Sequence, residues 1–139
     1  MQSRMKSVVI LESITGLGLI LFWTGFFTIG LAPETPPPCY FVFEHSFPLP
    51  DLILAATLIV AARQLSKGRP LGKSLSLVCA GALMFLGLLD FSFNIQNGMY
   101  TISTIDLILN AFINIWCVFF GVWITVKLHG AANGWRRIP

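Results

Sequence analysis

Four apolar runs divide this chain, and each approaches the length that a helix needs to cross a lipid bilayer. A spanning helix takes about 20 mostly apolar residues, since each residue rises about 1.5 Å and the hydrocarbon core is about 30 Å thick. Backbone N–H and C=O groups find no water at that depth, so they must be satisfied inside helices. The runs predict spans over about 7–31, 49–66, 74–94 and 103–127, with an outer loop over 32–48 and a cytoplasmic loop over 67–73. The expected fold is an all-α membrane protein: a single integral membrane domain over 1–139, built as an antiparallel bundle of four transmembrane helices. Composition agrees. The chain is 55% hydrophobic and 11% charged, where a soluble domain carries roughly 25% charged residues.

The first run invites comparison with a secretory signal, because small residues stand at Gly30 and Ala32. A signal's apolar core is about 7–15 residues long. This run is longer and Pro33 follows directly, so it reads as a retained span.

The basic residues set the expected orientation. All nine Lys and Arg residues lie in three places: Arg4 and Lys6 at the head, Arg63, Lys67, Arg69 and Lys73 in the middle connection, and Lys127, Arg136 and Arg137 toward the tail. Neither of the other two connections has one. The excess of Lys and Arg on cytoplasmic loops then places both termini and the middle loop in the cytoplasm, and a plasma (inner) membrane is the expected location. The basic segments should meet anionic headgroups, and Trp135 with Arg136 and Arg137 reads as an interfacial anchor. Membrane lipids are therefore the expected partners. Nucleic acid is not, because the net charge of +3 is spread over headgroup-level segments. A homo-oligomer or a larger membrane complex is compatible with all of this.

Five of the six acids, Glu34, Glu44, Asp51, Asp90 and Asp106, fall at or near the outer side. Asp90 is the most informative, because an ionisable side chain placed before an apolar run has left the membrane is costly and a functional suspect. At about 100° per residue, Ser76, Ala80, Gly87, Asp90 and Asn94 share an arc of roughly 80°. Asp106, Asn110, Asn114, Cys117 and Gly121 share a similar arc on the last span. Small residues mark faces that pack on other helices. The two polar faces are thus expected to form an outward-facing pocket built mainly on Asp90 and Asp106. Asn94, Asn97, Asn110 and Asn114 complete it, and Asp51, Glu44 and His45 stand at the same end. Neighbouring carboxylates repel when ionised, so a proton or a cation is expected there. The plainer expectation is that these residues only hold helices together.

Other features have local readings. Proline fixes φ and lacks an N–H, so Pro33 should stop the first helix and Pro36-Pro37-Pro38 should be extended. Tyr40, Phe41 and Phe43 favour an interface, so this segment is expected along the outer surface, with folding back over the bundle as the alternative. Asp51 follows Pro48 and Pro50 as a helix-start acid. Gly18 and Gly25 are read as close-packing positions. Glu12 is read as a snorkelling carboxylate paired with Lys6, Lys73 or Lys127, with a proton or ion relay as the alternative. Cys39, Cys79 and Cys117 form no CxxC and no Cys/His ligand pattern.

No catalytic residue is assigned, and neither a cofactor nor a metal is named by the pattern. The oxygen-rich set would suit a hard cation better than zinc. Three functional classes follow. The first is an integral membrane binding or accessory protein whose pocket takes an amphipathic or lipid-like ligand. The second is a protomer of a cation- or proton-coupled small transporter or channel. The third is a carboxylate-dependent membrane enzyme, for which no nucleophile or ligand spacing is seen.

Overall fold

The computed structural model describes residues 2–133 of the chain. It is all-helical, with no strand among the described residues. The helices are α1 (Gln2–Thr28), α2 (Tyr40–Glu44), α3 (Pro48–Ser66), α4 (Pro70–Gln96) and α5 (Thr104–Asn133), with a 3₁₀ turn at Met99–Thr101. Four of them, α1, α3, α4 and α5, are long and apolar enough to cross a membrane. The tail residues Trp135, Arg136 and Arg137 lie outside the described residues.

The helix ends follow from local chemistry. α1 stops at Thr28, three residues before the expected end, because Gly30 turns the chain at φ +77° and Pro33 follows. α3 closes on a Schellman motif: Gly68 has φ +65°, its N–H donates to Leu65 O, and the Arg69 N–H donates to Gln64 O. Only glycine takes that φ without steric cost. Pro70 then occupies the first turn of α4, where its missing N–H costs nothing. The middle connection shrinks from the expected 67–73 to the three residues Lys67–Arg69. At the other end α4 stops before Gly98, also at φ +65°.

Close pairs fix the helix directions. Gly16 on α1 stands where a Cβ would come 2.9 Å from Ala55 O of α3, while Trp23 reaches Asp51. Rising numbers on α1 meet falling numbers on α3, so the two are antiparallel. In the same way Gly87 of α4 faces Asn114 and Cys117 of α5, and Gly121 faces Ala80 and Met84. Gly72 sits on the backbone of Leu65 and Gln64. The close-packing glycines are therefore Gly16, Gly72, Gly87 and Gly121. Gly18 and Gly25 do not share that role: nothing lies within 4 Å of a Cβ built on Gly18, and Gly25 meets only the Leu31 side chain.

The main core runs along the bundle through Leu58, Leu83, Phe120 and Ile124, all nearly or wholly buried. A second cluster of Trp23, Phe26, Tyr40 and Met99 closes the end that carries the acids. It is built by the 32–48 segment, which folds back over the bundle and does not lie along its surface. Tyr40 is 6% exposed, and the Phe43 ring stacks on Phe93 of α4 at 3.8 Å with an interplanar angle of 2°. The Cys39 thiol donates to Asn97 Oδ1 at 3.3 Å. The segment is a cap, held by aromatic burial.

Candidate functional site

The close helix packings are α1 on α3, α3 on α4 and α4 on α5. That leaves α1 and α5 facing each other across a gap. One hydrogen bond bridges it: the Trp116 indole N–H donates to Thr15 Oγ1 at 3.1 Å. Beside that bond, and under the 32–48 cap, lies a cavity of about 440 Å³. Its volume falls within the roughly 300–1,000 Å³ typical of small-molecule sites.

The cavity has two ends of different character. α1 lines it from Ile14 to Trp23 and α5 from Leu109 to Cys117, which at about 1.5 Å per residue makes it roughly 14 Å long. Leu19, Phe22, Leu86, Ile113 and Trp116 make most of this stretch apolar. Ile14, Leu109 and Phe112 line it too, yet each is more than half exposed on the outer surface of the bundle. The seam between α1 and α5 is thus the mouth. Gly18 sits on the α1 side with open space in front of it, and its missing side chain is part of the cavity volume.

At the capped end the wall carries Glu44 from α2, Asp51 from α3, Asp90 from α4 and Asn110 from α5. Four chain segments converge there because the antiparallel packing brings the starts of α3 and α5 beside the end of α4. Asp51 is 6% exposed, and its Oδ2 accepts a hydrogen bond from the Trp23 indole at 2.9 Å. Glu44 and Asp90 are half-buried. Asn110 turns its amide back to the Asp106 carbonyl. Among the described residues, no Lys, Arg or His lines the cavity.

The other expected site residues lie elsewhere. Asp106 is not on the cavity wall. It sits at the third position of α5, where its backbone N–H donates to Ser103 Oγ and the Ser103 hydroxyl donates to its Oδ2 at 2.6 Å. Ser103 thus acts as an N-cap, satisfying a helix-start N–H that would otherwise lack a partner, and Asp106 holds its hydroxyl. The pairing of Asp90 with Asp106 across one pocket is therefore replaced by Asp90 with Asp51 and Glu44. Asn114 is buried and donates to the Tyr100 hydroxyl at 2.9 Å, tying the 3₁₀ turn to α5. Asn97 bonds the Phe93 carbonyl and the Cys39 thiol. Asn94 is buried but off the cavity wall. His45 is exposed, with its ring stacked on Phe27 at 5.9 Å.

Glu12 departs furthest from expectation. It is 0% exposed, and among the described residues neither carboxylate oxygen makes a hydrogen bond, although the Ser76 side chain of α4 lies near it. A snorkelling side chain paired with Lys6, Lys73 or Lys127 would be partly exposed and bonded. Glu12 instead points into the bundle from the α1 face that also carries Val8, Thr15 and Gly16 inward.

The apolar wall on α1 and α5 is absent from the sequence-based set. Its signal was present but mute: Trp23, Thr15 and Trp116 look like ordinary residues of apolar spans, and only the missing α1–α5 packing turns them into a lining. Among the described residues, no three His, Cys, Asp or Glu side chains stand close enough to hold a metal ion together.

Fold and site together define an all-helical protein with four helices of membrane-spanning length and an acid-ended cavity between the first and the last. Compared with family models, curated proteins and solved structures, the chain matches none.

Proposed function

We propose that this chain is a multi-pass membrane protein with both termini in the cytoplasm, and that it binds an amphipathic ligand in the cavity between α1 and α5. The observation that carries the reading is the cavity itself, a mostly apolar space of about 440 Å³ with one polar end. Its rim residues are exposed on the side of the bundle, where an apolar protein of this shape would meet lipid. A ligand could then enter from the bilayer with its chain along Phe22 and Ile113 and its head at Asp51 and Asp90. The orientation rests on the Lys and Arg residues, whose described members cluster at the end opposite the acids.

The test is photo-cross-linking in bilayer discs with diazirine-bearing alkyl probes that carry an amine, an alcohol or a carboxylate head. Mapping adducts by mass spectrometry should find them on 14–23 and 109–117 for at least one probe, and Gly18→Leu should abolish them. The Cβ of that side chain meets nothing within 4 Å, so the leucine has room to start into the space before Gly18. Labelling spread evenly over the lipid-facing surface, and unchanged in the variant, would end the reading.

Glu12 favours a second reading, that of a proton- or cation-coupled transporter protomer. A fully buried carboxylate two residues before Ile14, at the end of the cavity away from the cap and without a hydrogen bond among the described residues, would be a second ionisable station along the bundle. Ion-coupled flux in proteoliposomes that Glu12→Gln removes would support it, and binding without flux would exclude it.

A further inference from the structure

We infer that the ligand of this cavity is a single-chain amphiphile whose head group is a protonated primary amine. The inference rests on the binding reading above and adds the charge and donor chemistry of the head.

Three carboxylates on three different helices reach the polar end: Glu44, Asp51 and Asp90. Among the described residues, the one hydrogen bond that any of their oxygens accepts from another side chain is the Trp23 bond to Asp51 Oδ2. The remaining oxygens accept no bond from another side chain among the described residues and stay open for a donor that enters the cavity. Among the described residues no protein cation serves them, since no Lys, Arg or His lines the cavity and no Lys or Arg occurs between Lys6 and Arg63 or between Lys73 and Lys127. An ammonium group brings one positive charge and three N–H donors in one small head. Hydrogen bonds between ionised partners are about twice as strong as neutral ones. A carboxylate or phosphate head would meet like charge in a site of low dielectric, where repulsion is strong. An alcohol would offer a single donor and leave the charge uncompensated. A bare metal ion is a poor fit, because it would leave the apolar stretch of the cavity unfilled. The chain of the amphiphile would fill that space as far as the Thr15–Trp116 bond.

The experiment uses the full chain in phosphatidylcholine discs, labelled with the diazirine-bearing alkylamine. Dodecylamine, dodecanol and dodecanoate compete at matched mole fractions of lipid. Dodecylamine should displace the probe at a concentration roughly tenfold or more below that of dodecanol, the size expected for hydrogen bonds to charged groups. Dodecanoate should be weaker still. In Asp90→Asn the preference for amine over alcohol should collapse toward unity. Glu44→Gln, on the cap, is a second variant that should reduce the same ratio should Asp90→Asn fail to fold. Equal competition by amine and alcohol, or an advantage for dodecanoate, overturns the amine assignment while the cavity remains a binding site. Loss of Gly18-dependent labelling by every probe overturns both.

Discussion

The indole N–H of Trp23 and the carboxylate of Asp51 meet at 2.9 Å in the buried interface of α1 with α3. An apolar helix thus spends its one buried aromatic donor on an acid of its neighbour, at the wall of the cavity. Removing the donor leaves a buried acceptor without a partner, which costs about 1–3 kcal/mol. Trp23→Phe should lower the thermal unfolding midpoint markedly. Trp23→Phe combined with Asp51→Leu should recover part of the loss, since neither partner then needs the other. A double variant no more stable than Trp23→Phe alone would show that Asp51 is held by something else.

Glu12 makes the opposite prediction. A buried carboxyl with neither oxygen bonded among the described residues is a standing cost, and an apolar side chain of similar size removes it. Glu12→Met should raise thermal stability by an amount of order 1 kcal/mol or more. A fall in the unfolding midpoint on that substitution would mean that Glu12 has a partner in the folded protein.

Asp106 and Asp90 should separate cleanly by phenotype. Ser103→Ala breaks the cap on α5 and should cost about 1 kcal/mol, with cross-linking at the cavity retained. Asp90→Asn should change which head groups compete. If Ser103→Ala altered ligand preference as strongly as Asp90→Asn, the cap and the cavity would have to be one unit.

The glycines give a stability contrast that needs no ligand. Gly18→Ala meets nothing and should stabilise α1 by up to about 1 kcal/mol, the helix-propensity difference between the two residues. Gly121→Ala puts a Cβ 2.6 Å from the Ala80 carbonyl oxygen, so α4 and α5 must move apart and the midpoint should drop. Equal effects from the two changes would contradict the helix pairing.

Thiol chemistry tests the orientation. Cys39 is exposed, while Cys79 and Cys117 are buried. In intact cells a membrane-impermeant maleimide should label the chain once, at Cys39, and not the Cys39→Ser variant. Labelling that appears only after permeabilisation would place the cap in the cytoplasm and invert the proposed topology.

Much of the architecture was legible from one dimension. The four apolar runs dictate helices because no other secondary structure can satisfy that much backbone away from water. Gly68 followed by Pro70, and Asn97-Gly98, announced the turns through φ preferences that belong to the residues themselves. The inward arcs on α4 and α5 were largely legible too: Ser76, Ala80, Gly87, Asn94, Asn114, Cys117 and Gly121 are buried while Asp90, Asp106 and Asn110 are half-buried, because helical periodicity is a local property. Asp106 was expected in the pocket, although Ser103 three residues before it carried the spacing of a helix cap.

What the sequence determined, then, is what depends on a residue and its near neighbours along the chain: helix extents, turn positions, inward faces and the separation of acids from Lys and Arg. Only the tertiary structure decided which faces touch. It set Asp51 and Glu44 beside Asp90, pressed the 32–48 segment down over the bundle through Tyr40 and Phe43, buried Glu12 inside the bundle, and left α1 and α5 apart with a cavity between them. Those outcomes depend on the packing of residues far apart in the chain, such as Gly16 against Ala55 and Gly87 against Asn114, and helical periodicity carries no record of that matching.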